Sequence, residues 1–203
     1  MSRAGLLLSC TLALAGTAHA QDGSPHWAFT ASAFLYPTVD PAFLLPVVTA
    51  DRGALHLEAR YNYEDLKTGS GWVGWNFETG DALTLAVTPM VGVAVGRSDG
   101  VAPGVELTLG WRTFELYSET ELFIDFGASS GDFLYTWTQV TWSPQHWLSA
   151  GITGQRLRSV GSERSIDIGP MAVFRLGRVA LEAFASNPVA DDFFGVLGAG
   201  IEF

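Results

Sequence analysis

His56, Glu58, Arg60 and Glu64 put an imidazole, two carboxylates and a guanidinium on one side of an extended segment, because side chains two residues apart share a strand face. Similar polar residues recur downstream at Glu106, Arg112, Glu115, Tyr117, Glu119, Glu121, Tyr135, Gln139, Asp167, Arg175 and Glu182. Pooled in one interior, they support either of two chemistries. Carboxylates outnumber arginines, and rings of Asp and Glu attract cations and repel anions, which would make a cation-favouring aqueous path. Alternatively the same residues form a self-satisfied Arg-Glu-Tyr network, since buried charge is costly unless it is paired.

Other chemistries find less support. His56 beside Glu58 is a candidate acid-base pair, but a histidine among Glu and Arg is also an ordinary hydrogen-bond partner. No His/Cys cluster has metal-ligand spacing. Asp99-Gly100 and Ser130-Gly131-Asp132 lack the carboxylate count of a calcium site and read as turn chemistry. Trp72 and Trp75 would point to opposite faces of a strand, so they do not form one sugar-stacking platform. No cofactor and no metal is expected.

The elements that must position these residues are strands. In Leu55 to Glu64 one face reads Leu55, Leu57, Ala59, Tyr61, Tyr63 and the other His56, Glu58, Arg60, Asn62, Glu64. The rhythm returns at Gly104 to Arg112, Phe114 to Phe126, Val179 to Ser186 and Gly195 to Phe203.

Between the strands, short turns alternate with longer loops. Turns fall at Asp51 to Gly53, Glu78 to Asp81, Arg112-Thr113, Ser143 to His146 and Leu176-Gly177. Loops fall at Asp65 to Gly69, Gly96 to Pro103, Gly127 to Asp132, Arg158 to Ser165 and Asn187 to Asp192. That asymmetry belongs to bacterial outer-membrane barrels and puts the C-terminus at the periplasm. Two more segments, Trp27 to Tyr36 and about Ala42 to Ala50, complete a closed antiparallel up-and-down barrel of twelve strands. Ten is the alternative, because Pro37, Pro41 and Pro46 interrupt those first two segments.

Residues 1–20 read as a signal peptide, with Arg3, an apolar stretch from Leu6 to Leu14 and an Ala18-His19-Ala20 cleavage site, leaving 21–203 as the barrel. A lipoprotein reading at Cys10 leaves too little apolar sequence before the cysteine. Cleavage removes the single cysteine, and with it disulfides and thiolate chemistry. It also removes one of 11 basic residues and none of the 21 acidic ones, so the mature charge is −11 and nucleic acid is excluded as a partner.

Aromatics on the apolar face sort into two bands, as lipid-water interfaces require. Phe77, Trp111, Phe114, Trp142, Phe174 and Phe203 lie beside turns; Tyr61, Tyr63, Phe126 and Phe194 lie near the other ends. A soluble β-sandwich or lipocalin-like binder would also alternate, but has less need of both bands.

The stretches TADRGALHLEARYNYEDLKTGSGWVGWNF (Thr49 to Phe77) and APGVELTLGWRTFELYSETELFID (Ala102 to Asp125) resemble a family of small uncharacterised proteobacterial proteins of outer-membrane barrel type. The resemblance implies an exported barrel and no catalysis. The final Gly-Ile-Glu-Phe resembles the closing strand read by the outer-membrane assembly machinery. Known outer-membrane barrel lipases, deacylases and proteases use a serine or aspartate with a histidine near the outer wall. Here His26, His56 and His146 all fall at the turn side, so an enzyme acting on lipid or peptide is only the alternative. The expectation is a porin-like barrel of the Gram-negative outer membrane, either a small passive pore or a wall with a packed lumen. Arg97, Arg156, Arg158, Arg164 and Lys67 near the loops are candidate contacts for lipopolysaccharide phosphates.

Overall fold

The computed structural model describes residues 26–127, 131–159, 165–189 and 192–203. The signal-peptide reading, Cys10, Arg164, Ser130 and the centres of the last three loops lie outside the described residues.

Thirteen strand segments run in sequence: β1 (Ala28–Tyr36), β2 (Phe43–Arg52), β3 (Leu55–Tyr61), β4 (Gly69–Trp75), β5 (Phe77–Thr79), β6 (Leu83–Val95), β7 (Gly100–Trp111), β8 (Phe114–Asp125), β9 (Phe133–Gln145), β10 (Leu148–Ser159), β11 (Ser165–Leu176), β12 (Val179–Ser186) and β13 (Phe194–Glu202). β4 and β5 both pair with β6 and are two halves of one strand, broken at Asn76. The barrel therefore has twelve staves, each antiparallel to its neighbours, as the twelve-strand reading expected. It closes where β1 meets β13, with Thr30 opposite Glu202 and Leu35 opposite Leu197. Reciprocal bonds between Phe29 and Phe203, at 2.9 and 3.0 Å, complete that seam at the turn end.

Alternation sorts the side chains as a closed wall requires. Along β3, His56, Glu58 and Arg60 are buried inside, while Leu55, Leu57 and Ala59 face out. Val91, Val93, Ile152, Ile168, Leu181, Leu197 and many more large apolar groups are exposed on the outer face. No described helix is long and apolar enough to cross a membrane. The proline in β2 is accommodated in register, with Pro46 opposite Ala33.

Three tight turns place a residue in the left-handed region, as two-residue hairpins with native twist demand: Gly53 (φ 59), Arg112 (φ 56) and Gly177 (φ 64). Two connections differ from expectation. The Gly96 to Pro103 loop shrinks to Gly96–Asp99, because the Asp99 carboxylate accepts the Gly96 N–H at 2.8 Å and completes the turn within four residues. The Ser143 to His146 turn moves to His146-Trp147, where a bulge between Leu148 and Ala150 absorbs the extra residue.

The turn-end aromatics Phe77, Trp111, Phe114, Trp142, Phe174 and Phe203 are all exposed outside the barrel. Several stack in pairs across strands: Trp111 with Phe114 at 6.3 Å and Trp147 with Phe174 at 6.4 Å. At the loop end Tyr61 and Phe126 are exposed, but Tyr63 and Phe194 are buried inside. The Tyr63 assignment to the lipid interface is therefore corrected. β3 ends at Tyr61 and Asn62 takes φ 60, so the two-residue alternation stops one position before Tyr63. For Phe194 the adjacent Phe193 is the exposed ring instead.

Candidate functional site: the lumen

β3 and β8 face each other across the barrel and carry the central charges. Arg60 Nε and Nη2 donate to the two oxygens of Glu58 at 2.7 and 3.0 Å, and Nη1 donates to Glu119 at 2.7 Å and Glu121 at 3.3 Å. All four side chains are fully buried. The guanidinium also lies 4.1 Å from the Tyr63 ring centre and 4.5 Å from that of Trp72, close enough for cation–π attraction on both. Below Trp72, its indole donates to Ser70 at 3.1 Å and Ser70 donates to Glu64 at 2.5 Å.

Beside this layer, from β1 and β2 round to β11, β12 and β13, the interior is mostly apolar, with Glu182 and Asp167 as its buried acids. Phe34, Leu45, Val47, Met171, Val173, Phe184 and Val196 are buried there, with Trp137 packed against Phe184 at 5.1 Å. Charged and apolar halves meet to form a plug across the middle and loop-side half of the barrel. On the turn side the lumen opens into a vestibule of about 1270 Å³. Its walls include Asp51, Thr88, Glu106, Glu115 and Arg178, and His56 lies at its floor. On the loop side a small pocket of about 50 Å³ ends at Tyr63 and Glu64, and no residue lines both cavities.

Smaller polar links line the walls. His56 Nδ1 lies 2.8 Å from Asp51 Oδ1, while Nε2 is 3.5 Å from Glu58, too long for a strong bond. Asn76, at the break in the strand, donates to Asp51 at 2.7 Å and accepts from Thr88 at 2.7 Å. Tyr117 donates to Glu106 at 3.0 Å, and Arg175 to Ser149 at 2.6 Å. Near the loops Asp167 accepts from Gln155 at 2.9 Å and Asn187 at 2.7 Å.

No protein-family model matches this sequence, and no curated protein matches it. Solved structures do. A structure described as KdgM porin superposes with a TM-score of 0.60 at 7% identity, covering 87% of this chain and 99% of that one. A second, described as KdgM porin in complex with disordered oligogalacturonate, gives 0.60 at 6% identity over the same shares. The fold is that of a twelve-stranded porin. At such identity the likeness extends to the fold and to nothing finer.

Of the residues singled out in the sequence, His56, Glu58, Arg60, Glu64, Glu119, Glu121, Tyr117, Tyr135, Gln139, Asp167 and Glu182 are buried inside the barrel. Glu106 and Glu115 face the vestibule, and Arg175 turns inward to Ser149. Arg112 is corrected. It occupies the turn after β7 in a left-handed conformation, exposed, with its guanidinium 5.0 Å over the outward Trp111, so it touches only the vestibule rim. The apolar half of the plug was missed, because alternation labels a greasy residue outward unless the strand phase is known. Phe34 and Tyr36 against exposed Leu35 carried the available signal: aromatic residues occupy both phases of β1.

Proposed function

We propose that this chain is an outer-membrane barrel that passes small cations through a narrow constriction built on Arg60, after export and removal of residues 1–20. The carrying observation is the vestibule of about 1270 Å³ that leads to a layer in which Glu58, Glu119 and Glu121 surround one guanidinium. An approaching anion meets Glu106, Glu115 and then that layer, whereas a cation is drawn inward. The apolar outer face with aromatics near both ends suits hydrocarbon bounded by two interfaces. By strand parity the vestibule opens to the periplasm. The oligogalacturonate named with the similar porin is an acidic sugar chain, a poor match for a carboxylate-rich constriction. The solute here is small and positively charged.

Two partner readings accompany this. The terminal strand, sealed against β1, is the segment the assembly machinery would read. Arg156 and Arg158, exposed at the end of β10, suit lipopolysaccharide phosphates. Arg97 suits them less, being held by Asp65 through two bonds.

The packing of the plug favours a second reading, a wall protein with a sealed lumen. Planar-bilayer recording of the refolded barrel separates the two. The pore reading expects small unitary currents with cation preference, enlarged by Trp137→Ala. Silence from both the native barrel and that variant would leave the wall reading.

A further inference from the structure

Each of the three tight turns carries one arginine: Arg52 before Gly53, Arg112 where the other two have glycine, and Arg178 after Gly177. Two of them rest on outward tryptophans. The guanidinium of Arg52 lies 5.7 Å from the ring centre of Trp27, and that of Arg112 lies 5.0 Å from that of Trp111. Trp27 stacks on Phe29, which stacks on Phe203, and Trp111 stacks on Phe114, so each arginine caps a run of rings on the outer wall. Position 112 is the more telling of the two. Gly53 and Gly177 take the left-handed backbone without strain, whereas here an arginine takes it, at φ 56. Beyond its tryptophan, nothing within the chain offsets that strain: among the described residues Arg112 forms no ion pair, and the adjacent Glu115 acts on Arg175 instead. Stacking uses the flat face of a guanidinium and directs its in-plane N–H donors past the ring.

We propose that the turn edge of the barrel binds anionic glycerophospholipid, with Arg112 on Trp111 and Arg52 on Trp27 each donating to one headgroup phosphate. Girdle aromatics lie at headgroup depth, so a guanidinium seated on a girdle ring lies where the phosphates are. Its planar fork matches two oxygens of one phosphate, and such charge-assisted bonds are the strong ones. The acyl chains of a lipid held at Arg112 run along the outward residues of β7, from Trp111 through Leu109 and Leu107 to Val105. Net charge works against this lipid. A mature chain of charge −11 repels an anionic head as a whole, so a preference for one must come from cations at the point of contact. The site rests on the outer-membrane reading and not on whether the lumen conducts.

The test is native mass spectrometry of the refolded barrel, released from detergent micelles that hold equal amounts of phosphatidylglycerol and phosphatidylcholine with the same acyl chains. Both lipids carry the phosphate, but choline covers it with a cation and leaves the head neutral. The expected result is a roughly fivefold preference for phosphatidylglycerol at each site, the ratio that about 1 kcal/mol per arginine near the headgroups gives. Arg112→Gly, which keeps the left-handed turn, removes one of the two preferred lipids, and Arg52→Gln removes the other. Arg178→Gln takes the same charge from the same edge, where among the described residues no ring lies under the guanidinium, and leaves both lipids in place. A loss of preference in Arg178→Gln as large as in Arg112→Gly would trace the effect to edge charge alone and overturn the proposal. Equal adducts of the two lipids on the native barrel overturn it as well, and no adduct with either overturns it together with the membrane reading. Should a variant fail to refold, the native barrel decides in rising ammonium acetate. Screening must bring the preference toward unity, and a preference indifferent to salt refutes the arginine contacts.

Discussion

The guanidinium of Arg60 binds both oxygens of Glu58 from two residues along the same strand, with the rings of Tyr63 and Trp72 on it as well. A pair that is fully buried on both sides has no water to fall back on. Arg60→Met should therefore cost about 3–5 kcal/mol, because it leaves Glu58, Glu119 and Glu121 buried without a counter-charge. Adding Glu58→Gln and Glu119→Gln to that variant should recover part of the loss by removing the stranded charges. Urea unfolding in detergent, followed by heat-modified gel mobility, measures both. A loss below about 1 kcal/mol for Arg60→Met would show that the layer is not held by its charges.

Trp72 occupies the space where Gly92 has no side chain. A Cβ at Gly92 would fall 2.3 Å from the indole, so β4 and β6 can only pair with this tryptophan inside if position 92 is bare. Gly92→Ala should destabilise by roughly 1–3 kcal/mol through overpacking. In a Trp72→Ala background the same change should cost less than half as much. A double-mutant cycle reads the coupling, and strict additivity would rule out the contact as the cause.

Alternation revealed the wall and hid the contents. At Leu55 to Tyr61 polar and apolar residues strictly exchange, so phase and face are legible together, and the same holds for Leu197 and Ile201 against buried Gly198 and Gly200. At Phe34, Tyr36, Trp137 and Phe184 the inward residues are themselves large and apolar. Their side can be assigned only from neighbouring strands, information that a period of two in one strand does not contain. The ends of strands failed for a different reason. Asn62 and Arg112 adopt left-handed backbone, which ends the pleat, so extrapolating the rhythm through them put Tyr63 outside and Arg112 inside.

Asn62 makes that break possible. It sits at φ 60, its amide donates to Leu44 O at 2.8 Å, and its side-chain oxygen accepts the Lys67 N–H at 2.7 Å. Asn62→Gly should lose the two bonds but keep the backbone, whereas Asn62→Ala loses the bonds and adds the left-handed penalty. Alanine should therefore be the worse replacement by about 1 kcal/mol. Chemical denaturation of the two variants checks the order. Equal stabilities would mean that the turn conformation is not what directs Tyr63 inward.

Glu64 gives the pH dependence a definite sign. Burial raises its carboxyl above the ordinary range, so the folded barrel holds this proton more tightly than the unfolded chain does. Between the unfolded value and the raised folded one, the native state keeps a proton that the unfolded state has released, and that difference favours folding most at the acid end. Stability from this group is present below the unfolded value and is lost as pH rises through the folded one. The unfolding midpoint should fall as pH rises from the ordinary carboxylate range through the raised value in the folded barrel, and Glu64→Gln should flatten its share of the slope. Parallel slopes in the two proteins would remove Glu64 as the source.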